Sequence, residues 1–129
     1  MKVYIAAKFE EKERVRLIYK RCRENGLEIT CDWTGEDDTG MIGDVRRAYL
    51  QKCAQADLDG VRACDVLILL PHERGKGMYF EMGVAIALGK RVIIVGDNDN
   101  SHRPCIFCKL PQVEWMPDIW GAIITAANP

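Results

Sequence analysis

Between Ala63 and Asp97 the chain reads ACDVLILLPHERGKGMYFEMGVAIALGKRVIIVGD, with apolar and polar residues falling in blocks. An unbroken apolar run, Val66 to Leu70, ends in a loop of proline, glycine and charged residues. An apolar helical pattern opens at Gly77, and Gly89-Lys90 leads into a second apolar run, Val92 to Val95. Strands that are apolar on both faces belong to parallel sheets covered by helices on either side, so this stretch predicts a β-loop-α-β unit. One acid interrupts the pattern. Glu81, between Phe80 and Met82, reads as lying in the first turn of the helix, just beyond the carboxyl end of a strand. Open α/β sheets hold their ligands at that place.

The flanking segments extend the alternation. Lys2 to Ala7 reads as a short buried strand. Glu10 to Asn25 reads as a charged amphipathic helix with Val15, Leu17, Ile18 and Cys22 facing inward and Gly26 as its stop. Leu27 to Trp33 reads as a second strand. Thr34 to Gly43, TGEDDTGMIG, is rich in glycine and acid and reads as a mobile loop. Asp44 is expected to cap a long helix towards Ala63, with Val45, Tyr49, Leu50, Ala56, Leu58 and Val61 as its apolar positions. Past the central unit, Asp97 to Arg103 is a polar loop, Gln112 to Trp115 a short strand, and Asp118 to Ala126 a closing helix. Five strands, each followed by a helix, with the fourth crossover the least regular, predict an α/β fold. The expected architecture is a single three-layer domain over residues 1–129, with a five-stranded parallel sheet, doubly wound and flavodoxin-like or Rossmann-like.

Composition narrows the function. The chain has 129 residues, 48% hydrophobic and 29% charged, with a net charge of −1. That length suits one well-packed domain, and the balance argues against a nucleic-acid or membrane surface. No apolar run approaches the roughly 20 residues of a membrane span. MKVYIAAKFEEKERVR passes straight from strand to charged run, so no signal peptide is expected and the cytoplasm is the expected location. The six cysteines lie mostly in apolar or helical contexts, as free thiols of a reducing compartment do. Cys105 and Cys108 form a lone CxxC with His102 nearby, and no second pair accompanies it, so packing is expected rather than metal or redox chemistry.

Most familiar chemistries fail on spacing. Gly75-Lys76-Gly77 lacks the length and hydroxyl of a P-loop, and no G-x-G-x-x-G follows the first strand. Ser101 is the only serine, which removes serine nucleophiles. What remains is a carboxylate pair, Asp57 and Glu81, with Tyr4 able to reach one of them. Such a pair can cleave glycosidic bonds: one carboxylate attacks the anomeric carbon while another acid serves the leaving group or sugar hydroxyls. Asp59 lies two residues from Asp57 on a helix and cannot point to the same spot. Asp65 reads as structural, and Trp33, Trp115 and Trp120 as core or interface residues.

The segments MKVYIAAKF, QADLDGVRACDVLILL and GKGMYFEMGVAIALGKRVIIV together resemble the nucleoside 2-deoxyribosyltransferase family, which includes 2'-deoxynucleoside 5'-monophosphate N-hydrolases. The resemblance covers residues 1–9 and 55–97. It implies that Glu81 is the nucleophile forming a covalent glycosyl intermediate. It further implies that Asp57 holds sugar hydroxyls and assists proton transfer at the base, and that Tyr4 orients Glu81. Phe9 falls where members place a side chain against the nucleobase, and Gly77 where backbone approaches the sugar or phosphate. The chain also departs from the family. Transferases carry an acidic loop before the nucleophile helix, whereas here it reads His72-Glu73-Arg74-Gly75-Lys76-Gly77. Arg74, Lys76, open amides and Lys8 make a phosphate cradle and lean towards a 5'-monophosphate and the hydrolase side. No match is clear among Asn98, Asn100 and Asn128 for an asparagine that transferases take from a neighbouring subunit. The resemblance implies nucleotide salvage without metal or organic cofactor, a small-molecule nucleoside or nucleotide substrate, and a homodimer or higher homo-oligomer. A non-catalytic nucleotide-binding module on the same fold is the alternative. A flavodoxin-like redox protein would need a flavin, and AAKFEEK lacks the hydroxyl-rich phosphate loop for one.

Overall fold

The computed structural model of the chain describes residues 1–98 and 105–128. Most of the expected Asp97 to Arg103 loop, with Asn100, Ser101 and His102, lies outside the described residues. The sheet is five-stranded and wholly parallel, in the order β2-β1-β3-β4-β5. Its strands are β1 (Lys2–Ala6), β2 (Glu28–Ile29), β3 (Val66–Leu69), β4 (Arg91–Val95) and β5 (Glu114–Met116). Helices α1 (Lys12–Glu24) and α4 (Ile119–Ala127) pack together, as do α2 (Gly43–Ala63) and α3 (Gly77–Ala87), completing an α/β three-layer fold.

The centre is what the apolar runs require. β1 and β3 pair in register, Tyr4 opposite Leu67 and Ile5 opposite Ile68. Val3, Tyr4, Ile5, Ala6 and every residue of β3 are fully shielded from solvent. β4 buries Val92, Ile93 and Ile94 on the other flank of β3. Helix α1 ends in a Schellman motif: Gly26 has a φ of 78°, its N–H bonds the carbonyl of Arg23, and that of Leu27 bonds Cys22. Glycine suits this position because the left-handed region costs it nothing.

Several local expectations need correction. In α1 the buried stripe is Val15, Ile18, Tyr19 and Cys22, at helical spacing, and Leu17 is 66% exposed on the opposite side. β2 pairs over only two residues before the chain turns inward at the sheet edge. Ile42 occupies the α2 cap position without a side-chain cap, while Asp44 lies within the first turn and pairs with Arg47. Only Gly60 and Val61 of α2 are buried; Tyr49 and Leu58 are half-buried, and Val45, Leu50 and Ala56 are exposed. The fourth crossover has, among the described residues, a 3-10 turn at Ile106–Lys109 in place of an α-helix. β5 runs slightly later than expected, with Asp118 capping α4 through the N–H of Gly121 at 2.7 Å.

Trp33 is buried, Trp115 half-buried, and Trp120 exposed beneath the Arg21 guanidinium. All six cysteines are free. No described group of histidine, cysteine and carboxylate residues can hold a metal, and no described helix is long and apolar enough to cross a membrane.

Candidate active site

The order 2-1-3-4-5 reverses direction between β1 and β3, which leaves a crevice beyond their carboxyl ends. A cleft of about 310 Å³ opens there. Tyr4, Lys8 and Phe9 come from β1 and the chain just after it. Asp57 comes from α2, and Arg74, Gly75, Lys76, Gly77 and Glu81 from the loop after β3 and from α3. All the residues singled out for a catalytic or substrate-binding role therefore line one cleft.

Its floor is a hydrogen-bonded pair. The Tyr4 hydroxyl donates to Glu81 Oε2, fixing one carboxylate oxygen and the side-chain rotamer. Tyr4 is fully buried, and desolvation together with the nearby Glu81 and Asp57 pushes its pKa far up, so it remains a donor. Glu81 lies in the second turn of α3, not the first, because the helix already begins at Gly77. The amide dipoles fade within one turn, and burial dominates: the carboxyl is raised to about 7, partly offset by the Tyr4 hydrogen bond and reinforced by Asp57. Glu81 is therefore a carboxyl poised near neutrality and not one held ionised by a helix end.

Asp57 reaches the cleft because α2 comes unusually close to the sheet. A Cβ added to Gly60 would sit 2.5 Å from Cys31 Cβ and 3.2 Å from the Tyr4 ring, so only glycine admits this approach. The Cys31 thiol donates to Asp57 Oδ1 at 3.6 Å, and burial followed by the Asp57 charge pushes that thiol up to about 12. Asp59 turns away to Gln55 and Arg62, and Asp65 accepts the Lys2 N–H at 2.8 Å.

The rim is mixed. Phe9 is 42% exposed, with its ring centroid 6.3 Å from that of Trp33 and the Lys12 ammonium 5.0 Å above it. Lys8 pairs loosely with Glu10 at 3.8 Å. The basic loop is pinned at its base: the Tyr79 hydroxyl accepts the His72 N–H and donates to the His72 carbonyl, while the Arg74 N–H bonds His72 Nδ1. A Cβ on Gly77 would meet no protein atom within 4 Å, so the space in front of it is open.

Sequence reasoning missed Glu36 and the cleft face of Trp33. Both belong to the 30–42 loop, and Glu36 faces the same cleft as Asp57 and Glu81. Burial, a hydrogen bond to Asp57, and the charges of Asp57, Glu81 and Asp32 raise its carboxyl to about 8. The available signal was an acidic segment directly after a strand whose carboxyl end lies at the crevice.

A nucleoside 2-deoxyribosyltransferase family model matches residues 3–123. The chain is similar in structure to a CMP N-glycosidase, BcmB, from Clostridium botulinum, at 21% identity and a TM-score of 0.64, with 97% of each chain covered. It is also similar to a 2-deoxyribosyltransferase from the psychrotolerant Bacillus psychrosaccharolyticus, at 15% identity and a TM-score of 0.66. That match covers 100% of this chain and 92% of the other. No curated protein sequence matches it. The chain belongs to the nucleoside 2-deoxyribosyltransferase family.

Proposed function

We propose that this member of the nucleoside 2-deoxyribosyltransferase family breaks the N-glycosidic bond of a nucleoside 5'-monophosphate through a sugar–Glu81 ester that water resolves. The observation that carries this reading is the Tyr4–Glu81 pair facing Asp57 across a cleft whose opposite lip is cationic. Glu81 attacks the anomeric carbon from a half-buried position, where an anion stabilises the oxocarbenium-like transition state more than it would in water. Tyr4 holds one carboxylate oxygen and leaves the other for attack. Asp57 serves the sugar hydroxyls and the departing base. Phe9, backed by Trp33, offers the base a ring face.

Arg74, Lys76 and Lys8, together with the N–H groups that open α3 and lack intrahelical partners, suit a phosphate. That lip suits a monophosphate over a nucleoside, and a monophosphate substrate leans the reading to the hydrolase side of the family, where water and not an acceptor base resolves the ester. A homo-oligomer is part of the reading. Phe80 is 66% exposed on α3 and lines a hollow with Asp57, Gly77 and Glu81, so a second copy burying it would close that side of the cleft. Light scattering that reports a monomer at working concentration would remove that element.

The deciding experiment incubates the protein with each nucleoside and 5'-monophosphate, with and without free bases, and separates the products by chromatography. Free base and a sugar phosphate from a monophosphate in water alone are the expected products. Base exchange that requires an acceptor would mean a transferase. Tight binding without release would mean a nucleotide-binding module.

A further inference from the structure

Glu36 and Asp57 line the same cleft and interact there, and two carboxyl groups so placed can share a hydrogen bond only if one of them carries a proton. The loop that presents Glu36 is bolted down, contrary to its glycine-rich and mobile reading. Trp33 is buried and its Nε1 donates to the Ile5 carbonyl at 2.7 Å. Thr34 is 3% exposed, with Asp32 accepting from its N–H and the Arg16 guanidinium donating to its carbonyl at 3.0 Å. The Glu36 N–H closes a turn on the Trp33 carbonyl at 3.1 Å. An acid on so fixed a platform, aimed at a second acid, is a built arrangement.

We propose that Glu36 is a positioning residue that holds a proton against Asp57 and passes it through Asp57 to the leaving base while Glu81 attacks. The proposal rests on the glycosidase reading above and adds to it the origin of the proton. In the first step the bond between the anomeric carbon and the base nitrogen breaks, its electron pair stays on the nitrogen, and a bond to a Glu81 oxygen forms. The shared proton passes through Asp57 to the leaving base, leaving the pair doubly ionised. Water then attacks the anomeric carbon. Its proton returns to the Glu36–Asp57 pair, and the electrons of the broken ester bond restore the Glu81 carboxylate. Nothing is oxidised or reduced, and the pair ends as it began.

The groups facing Glu36 set the pH range of this arrangement. Asp32 lies on its own loop, Asp57 and Tyr49 on α2, Glu81 on α3, Tyr4 on β1 and Glu10 just after it, with Lys8, Arg74 and Lys76 at the rim. The neighbouring acids hold the proton on; the rim cations loosen it.

The test measures kcat and KM against pH for the wild type, Glu36→Gln and Glu36→Asp, on whichever monophosphate releases base. It adds a carboxyl-labelled NMR titration without substrate. General acid catalysis contributes about 10²–10⁴-fold. Losing the proton reserve while keeping Asp57 should therefore cut kcat by about 10- to 100-fold, leave KM within about twofold, and move the basic limb to lower pH. Glu36→Asp should recover most of the rate. In the NMR titration a carboxyl near 8 should be present in the wild type and absent from Glu36→Gln. Wild-type kcat and profile in Glu36→Gln, a change confined to KM, or two carboxyls titrating in the ordinary range would each overturn the proposal. A wild type that releases no base from any substrate defeats the glycosidase reading instead, and the titration alone then decides whether the proton is shared.

Discussion

The cleft has two walls built on opposite principles. One is the loop after β3 with the start of α3: cationic, glycine-bearing and largely exposed at Arg74 and Lys76. The other is the acidic wall of Glu36 and Asp57, which meets the Tyr4–Glu81 pair at the floor. Burial there raises Glu36 to about 8 and Glu81 to about 7. Exposed charges in high dielectric attract an anion modestly and move few protons. Buried carboxyls hold protons near neutral pH, as acid–base chemistry requires. The contrast assigns binding to one wall and chemistry to the other, and the two parts should separate in kinetics.

The sharpest break of the comparison is Glu81→Gln, which keeps shape and removes the nucleophile. Turnover should fall by about 10⁴-fold or more, as when a covalent nucleophile is lost elsewhere, and residual activity near the wild-type level would refute the covalent route. The same variant carries a stability signature. Between pH 4.5 and about 7 the native state keeps the Glu81 proton that the unfolded chain has lost, so the native state binds more protons and stability falls as pH rises. By pH 8 the cost is about 3 kcal/mol. Glu81→Gln should remove that decline, visible as a flatter melting-temperature profile across this range.

Next in size is Tyr4→Phe. Without the hydroxyl, Glu81 loses the hydrogen bond that lowers its pKa, so the acidic limb of the rate profile should move above 7. We expect kcat at pH 7 to drop about 10- to 100-fold, since oxyanion-type donors are worth about 2.7–4 kcal/mol and this one only orients. An unmoved limb would detach Tyr4 from Glu81. The binding wall should respond differently: Arg74→Ala with Lys76→Ala should raise KM for a 5'-monophosphate about tenfold, leave kcat near wild type, and barely affect a nucleoside. One charge-assisted hydrogen bond is worth about 1.5–3 kcal/mol before screening. Equal losses on both substrates would erase the division between the walls. Gly60→Ala should act last, on the frame that holds the acidic wall together. Its Cβ would drive into Cys31 and the Tyr4 ring, costing about 1–3 kcal/mol and several degrees of melting temperature.

The two walls also differed in how much the sequence disclosed. The β3–α3 unit is framed by apolar runs whose lengths and periodicity can have only one arrangement in a parallel sheet. Its motif then carried Glu81, Asp57 and the 72–77 loop to one place. Leu17, Val45 and Leu50 misled because an apolar residue off the main stripe looks the same in sequence as one on it. Glu36 escaped because its loop advertises glycine and acid, the composition of a solvated segment. The contacts that anchor it, Trp33 to Ile5 and Arg16 to Thr34, join residues far apart in the chain.

By itself, then, the sequence determined the alternation of strands and helices, the parallel sheet, and the residue types gathered at its carboxyl edge. Periodicity and motif spacing are properties of nearest neighbours along the chain. Only the tertiary structure decided how closely α2 approaches Tyr4, that Glu36 joins Asp57, and which carboxyl keeps its proton. Those outcomes depend on desolvation and on distances between segments, quantities that arise only when the chain has closed around the cleft.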